Sequence, residues 1–476
     1  MTLASLKYVL FLAVTASVGY ALPGRLRSRF LLAASYVFYW LAAPSFCLLL
    51  FAASLVSWAC AAAAAWGLLG RRRLWTVLGA LYLFGALFLY KYLNFFVNTA
   101  LLLLGREPGF SSGLLLPVGI SFYSFTAASY LFDVSRGRVE PERDFFRYAL
   151  FVAFFPALLS GPINRAGALL PQLGSPRPFR AADVKAGLLR FTLGAVKKLV
   201  VADALGLFVN AAYAGIDSAP GFVLLLAIPG YALQLYFDFA GYTDMALGSA
   251  QILGFSLPEN FRAPFLAPSL RKLWRRWHIS LTSWLRDYLY FPLGGSRVPR
   301  GRAMLNLLIV FTVSGLWHGA DLSFVLWGLV NGLLLAAESL LTPLEKRLRL
   351  ERRGFLPLRV LWTFLLFSLS FVLFRADSTG QALRLLGRAL SAPLQGAGLA
   401  ALGPYTSYRR LGLALLGVLL FALADARELR TGAPALAGLA ARRVGYWLFL
   451  ALAVLILAIF GCYGGFGAQN FVYFQF

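Results

Sequence analysis

FCLLLFAASLVSWACAAAAAWGLLGRRR, residues 46–73, runs through 46–69 without a charge and then meets Arg71, Arg72 and Arg73. About twenty mostly apolar residues in a helix cross the hydrocarbon core of a bilayer. Arginines just beyond such a run mark a cytoplasmic end. Comparable runs lie at 3–22, 30–43, 74–97, 113–133, 145–160, 187–214, 221–240, 303–318, 322–341, 358–375, 409–425 and 444–463. Of the 476 residues 60% are hydrophobic and only 13% charged, where soluble domains carry about 25% charged. The mean hydropathy is +0.74. The short alternating segments of a membrane β-barrel are absent. The pattern therefore predicts an all-α, polytopic integral membrane protein with about eleven transmembrane helices, the shorter runs being paired, re-entrant or interfacial.

Charge sets the expected orientation. Arg25, Arg27 and Arg29 follow the first run and Arg71 to Arg73 the third, so both links belong in the cytoplasm with the turn at 42–45 outside. The same alternation puts Arg136, Arg138, Arg143 and Arg147 inside, the 105–113 link outside and the N-terminus outside; beyond residue 145 it gives no orientation. The stretches 342–359 and 426–443 read as cytoplasmic connections. The net charge of +25 is concentrated in such links, which argues against nucleic acid as a partner and leaves a basic surface suited to an acidic, phosphate-bearing molecule or anionic lipid. Cys47, Cys60 and Cys462 stand alone in apolar runs and form neither a metal-ligand spacing nor a disulfide framework. The first run reads as a retained span rather than a removed leader. No internal repeat or low-complexity linker divides the chain, so a single membrane domain over 1–476 is expected, with a motif-bearing core at about 89–341 and a less assignable part at 342–476.

The chain has two histidines, His278 and His318, each directly behind a tryptophan, Trp277 and Trp317. Imidazole is the side chain that exchanges protons near neutral pH, and a titratable group at membrane depth is costly enough to imply a use. In RKLWRRWHISLTSWLRDYLY (271–290), helical spacing puts the tryptophans and leucines on one arc, the charged and hydroxyl residues opposite, and His278 at the seam. Arginines at bilayer depth each cost about 2.5–3.5 kcal/mol or more, so this segment is expected to lie in the interface. It serves either as a surface anchor or as the rim of an entrance for a negatively charged donor, with Arg275 and Arg276 beside His278.

NLLIVFTVSGLWHGA (306–320) carries His318 between Gly315 and Gly319, which permit close approach by backbone or substrate. A lone histidine in an apolar helix is often a satisfied core residue. No nucleophile elbow, zinc-type cluster or phosphate loop competes with it here, so acid–base chemistry near neutral pH would fall to His318 or His278. Asp238 and Asp244 sit in an apolar run and need partners. The arginines downstream are the expected ones, in a structural pair or a cavity lining that orients a histidine. Pro156 and Pro162 flank a stretch that reads as a broken or re-entrant helix beside a cavity.

Together these segments resemble the membrane-bound O-acyltransferase (MBOAT) family, in the bacterial branch that includes the alginate O-acetylation membrane protein and the D-alanyl-lipoteichoic acid transferase. The resemblance rests on LYKYLNFF (89–96), LPVGISFYSF (116–125), FFPALLSGPINR (154–165), FDFAGYTDMALG (237–248), LPENFRAPF (257–265), LWRRWHISLTSWLRDYLYFPLGG (273–295), GLWHGADLSFVLWG (315–328) and FVYFQF (471–476). It implies a shell of helices around a thinned centre, crossed by a tunnel. It makes His318 the catalytic residue and puts His278 toward the cytoplasmic end. On the chemistry of the residues themselves, His318 is expected to act as general base or as transient acyl acceptor, with Arg275, Arg276, Trp277, Trp317, Asp238, Asp244 and Asn306 as donor-side or orienting residues. Where many relatives carry a further histidine, this chain has Asn331, which does not titrate. The region 376–410 matches nothing recognisable.

The resemblance further implies transfer of an acyl group, acetyl by preference, from a cytoplasmic thioester donor (acetyl-coenzyme A or an acyl carrier protein). The group would pass across a bacterial inner membrane toward an exported polysaccharide or cell-wall polymer, with an extracytoplasmic SGNH-type acyltransferase as partner. No metal and no tightly bound cofactor is expected. A transporter or flippase of a glycan or acyl carrier, without chemistry, and a scaffold that recruits the partner enzyme are the alternatives; helix count and basic loops fit the transporter equally well.

Overall fold

The computed structural model describes residues 1–175, 178–350, 352–395, 397–433, 438–439, 442–462 and 471. Among them every regular element is helical and no strand occurs. The protein is a multi-pass membrane protein. Pro44–Ala65, Arg72–Leu103, Gly221–Ile252, Leu322–Arg347 and Leu356–Arg375 are long and apolar enough to cross a bilayer. The remaining runs form helices that are shorter, such as Leu6–Ala21, or broken, or charged, such as Arg300–His318; the number eleven rests on the sequence alone. The link 426–443 is described only in part, with 434–437, 440 and 441 outside the described residues.

Contacts divide the chain into two compact units, residues 1–191 with 243–258, and residues 192–242 with 259–476. In the first, Tyr8 Oη donates to Ser249 Oγ at 2.9 Å. A Cβ on Gly248 would come within 2.6 Å of the Gly187 carbonyl oxygen, so two helices cross there almost backbone to backbone. Asp244 belongs to this unit and pairs with Arg190 at 3.0 Å. The expected broken helix is present: Phe145–Ala153 ends at Phe154, whose ψ of 104° leaves the helical range, and Phe155–Leu158 restarts behind it. It borders a small cavity that Tyr123, Thr126, Phe154, Pro162 and Asn164 help to line, as the proline spacing predicted.

The second unit is organised around a hairpin, Arg300–His318 and Leu322–Arg347, against which Leu356–Arg375 packs. A Cβ on Gly315 would run into the Phe324 carbonyl oxygen, and one on Gly328 into that of Phe311. Small residues at such crossings let membrane helices meet through their main chains. The core between these helices is aromatic: Trp277, Trp327, Phe367 and Phe371 are each at most 2% exposed. A π-helical turn, Lys197–Ala202, aims Lys198 at two carboxylates, Asp203 at 2.7 Å and Asp238 at 2.6 Å. Two buried carboxylates thus share one buried ammonium, the kind of pairing that makes charge tolerable at depth.

Candidate functional site

The segment 271–290 departs from the continuous interfacial helix expected of it. It folds as Leu270–Trp274, a turn, Ile279–Leu285 and a π-helical turn Arg286–Tyr290. The cause lies upstream, in residues 260–262. The Ile279 amide donates to the Asn260 carbonyl at 2.9 Å, and the Arg262 amide to the Arg276 carbonyl at 3.0 Å. Asn260 Oδ1 also accepts from the Ser280 amide at 3.2 Å and from Ser280 Oγ at 2.6 Å. These bonds consume backbone groups that a continuous helix would have used itself. His278 sits at the break with φ 44° and ψ 52°, a left-handed conformation uncommon for a side chain of its size.

His278 therefore lies not on an exposed rim but inside, 1% exposed. The Phe239 ring stands edge-on to it at 4.7 Å and Trp317 lies at 5.8 Å. Burial lowers its pKa to about 3, so the ring is neutral at physiological pH. His318 is the last residue of Arg300–His318, where the Gly319 amide closes the helix on the Gly315 carbonyl at 3.3 Å. A Cβ on Gly319 would collide with the Phe324 ring. Rings that face His318 among the described residues include Trp317 at 5.0 Å, Trp327 and Phe374 at 5.3 Å each, and His278 at 6.3 Å between ring centroids. Two imidazoles forty positions apart in sequence thus pack within one aromatic cluster. His318 is 5% exposed.

The other residues singled out in the sequence separate into groups. Trp317 touches both histidines, whereas Trp277 packs on Phe261 and Phe371, at 5.2 and 5.7 Å. Arg275 is exposed. Arg276 is half-buried, with Nη1 3.4 Å from the Ala263 carbonyl oxygen. Asn306, fully buried, donates through Nδ2 to the Leu293 and Gly295 carbonyls at 3.0 and 3.2 Å, and so ties down the turn that follows the π-helical residues. The arginines downstream are not the partners of Asp238 and Asp244 in these ion pairs. Lys198 and Arg190, on a helix far upstream in sequence, take those places. Asn331 is buried, and its Nδ2 donates to the Trp327 carbonyl at 2.9 Å. Phe471, the described residue of the terminal FVYFQF stretch, stacks on Tyr242 at 4.5 Å and lies 5.9 Å from Phe239; 472–476 fall outside the described residues.

Sequence reasoning missed Phe239, Trp327 and Phe374 as neighbours of the histidines, and Lys198 as the cation of the buried cluster. Lys198, a charge inside the apolar run 187–214, was the one signal available. The aromatic residues gave none, because a core ring and a site ring read alike in an apolar helix.

An all-helical membrane protein with two imidazoles gathered in a buried aromatic cluster is the class of molecule that fold and site define. A family model described as MBOAT, membrane-bound O-acyltransferase family, matches residues 142–374, which include both histidines. The chain is 39% identical over 384 residues to a probable alginate O-acetylase of Azotobacter vinelandii, covering 79% of this chain and 75% of that one. A peptidoglycan O-acetyltransferase of Helicobacter pylori is 34% identical over 343 residues, 66% of this chain and 64% of its own length. A teichoic acid D-alanyltransferase of Bacillus subtilis is 29% identical over 227 residues, 46% of this chain and 58% of its own. The chain belongs to the membrane-bound O-acyltransferase family and is an acyltransferase of that type.

Proposed function

We propose that the protein moves an acyl group, acetyl by preference, from a thioester donor in the cytoplasm to hydroxyl groups of an exported polysaccharide or cell-wall polymer. The acetyl preference and the polymer acceptor follow the similarity to the alginate and peptidoglycan O-acetylating relatives. The donor is acetyl-coenzyme A or an acylated carrier protein, and the basic links Arg25–Arg29 and Arg71–Arg73 suit either. The protein resides in the bacterial inner membrane, with an extracytoplasmic SGNH-type acyltransferase as its partner.

The observation that carries this reading is the 6.3 Å approach of His278 and His318 among buried aromatic rings. Acyl transfer to a hydroxyl needs a base, and a positioned histidine contributes typically about 10²–10⁴-fold. An apolar enclosure also keeps water from an activated thioester. His318 serves as that base. His278, with Arg275 and Arg276, serves the donor side, and Asn306 and the Lys198–Asp238 pair hold surrounding elements in place. Purified protein in bilayer nanodiscs, given labelled acetyl thioester and polymer, tests this directly. His318→Ala should insert and remain monodisperse yet transfer no acetyl. Wild-type transfer by that variant would overturn the assignment, and movement of a glycan without thioester cleavage would favour a transporter.

A further inference from the structure

Trp327 presents an indole N–H that is unaccounted for by the packing. Its side chain is 1% exposed, and among the described residues Nε1 has no hydrogen-bond partner. A buried donor left unpaired forfeits its hydration without return, so such groups in a native core need an explanation. The ring is firmly placed. It stacks on Phe371 at 5.7 Å and 18°, meets Phe374 edge-on at 5.0 Å, and stands nearly perpendicular to the His318 ring at 5.3 Å. Its neighbour Asn331 bonds the Trp327 carbonyl and not the indole.

Trp274 supplies an internal comparison. Its indole Nε1 is also buried and also without an acceptor among the described residues. It lies one ring further out, 6.0 Å from Trp327, with Phe311 and Phe367 as its other ring neighbours.

We infer that Trp327 Nε1–H is an oxyanion donor for the acyl transfer at His318, an inference that rests on the function proposed above. The acceptor hydroxyl loses its proton to the His318 imidazole while its oxygen bonds the thioester carbonyl carbon. The carbonyl π pair moves onto oxygen, which becomes an oxyanion and accepts the indole N–H. That pair returns as the C–S bond breaks, and the imidazolium gives its proton to the departing thiolate, releasing a thiol. A fixed donor aimed at charge that appears only in the transition state speeds the reaction without tightening substrate binding. Such a use also accounts for an N–H that the protein's own acceptors leave free.

The test replaces N–H by sulfur while keeping the bicyclic ring: Trp327→3-benzothienylalanine, with Trp274→3-benzothienylalanine and His318→Ala alongside, each in nanodiscs with acetyl thioester and polymer. The Trp327 variant should lose on the order of 10²–10³ in kcat with KM for the thioester little changed, while its thermal unfolding stays at or above wild type. The Trp274 variant should turn over as wild type does. Wild-type kcat in the Trp327 variant, with His318→Ala inactive, overturns the inference and leaves the proposed function standing. Equal losses in both tryptophan variants would also overturn it, since that marks a packing effect. Activity in His318→Ala would overturn the proposed function itself and the inference with it.

Discussion

Trp277-His278 and Trp317-His318 are the same dipeptide held by opposite kinds of backbone. His318 ends a 19-residue helix whose path is fixed by a glycine crossing with its neighbour. His278 interrupts a segment that would otherwise be helical, and the residues after it, Ile279 and Ser280, are tied to Asn260. One ring is placed by the end of a long element and the other by a local break. The difference teaches that a titratable residue can be fixed in a protein core either by regular packing or by a pinned irregularity. The second solution demands polar groups nearby to occupy the freed backbone, here Asn260 and Ser280.

The largest expected effect separates the two rings by role. His318→Ala should cut acetyl transfer by roughly 10²–10⁴-fold, whereas His278→Asn, which tolerates the left-handed backbone, should cost less than a tenth of that loss, measured as kcat in nanodiscs. Comparable losses in both variants would break the distinction and make the histidines a single catalytic unit. Next comes the backbone that places His318. Gly315→Ala would push against the Phe324 carbonyl and should destabilise by about 1–3 kcal/mol, read as a lower unfolding temperature in detergent. An unchanged temperature would mean the hairpin yields more easily than its packing implies.

The smallest effect is in pH. His278 is neutral when folded, with its pKa lowered to about 3 by burial, against about 6.5 in the unfolded chain. Below pH 6.5 the unfolded state takes up a proton that the folded state refuses. Stability is therefore lost as pH falls from about 6.5 toward 3, by up to about 1.4 kcal/mol per pH unit. Between pH 7.5 and 5.5, His278→Asn should flatten the fall in unfolding temperature. An identical slope in wild type and variant would show that the folded site accommodates the charged ring.

Much of the architecture was legible because apolar length is a one-dimensional property: residues 46–65 and 322–341 announce spans without reference to anything else. The two histidines were legible by their scarcity. What could not be read was what distant segments do to one another. Helical spacing across 271–290 gave a convincing amphipathic stripe, yet residues 260–262 compete for its backbone and break it. Asp238 and Asp244 looked to the nearest arginines, while their cations stand on a helix some forty to fifty-five residues earlier. Phe374 closes on His318 from a helix whose sequence carries no mark of a site.

The meeting of Arg300–His318 with Leu322–Arg347 through Gly315 and Gly328 has a consequence for how such a protein can change over time. A joint made of main-chain atoms does not depend on which side chains surround it, so substitutions in the aromatic cluster leave the imidazole where it was. Selectivity for donor or acceptor can then drift, residue by residue, without the catalytic geometry having to be rebuilt at each step.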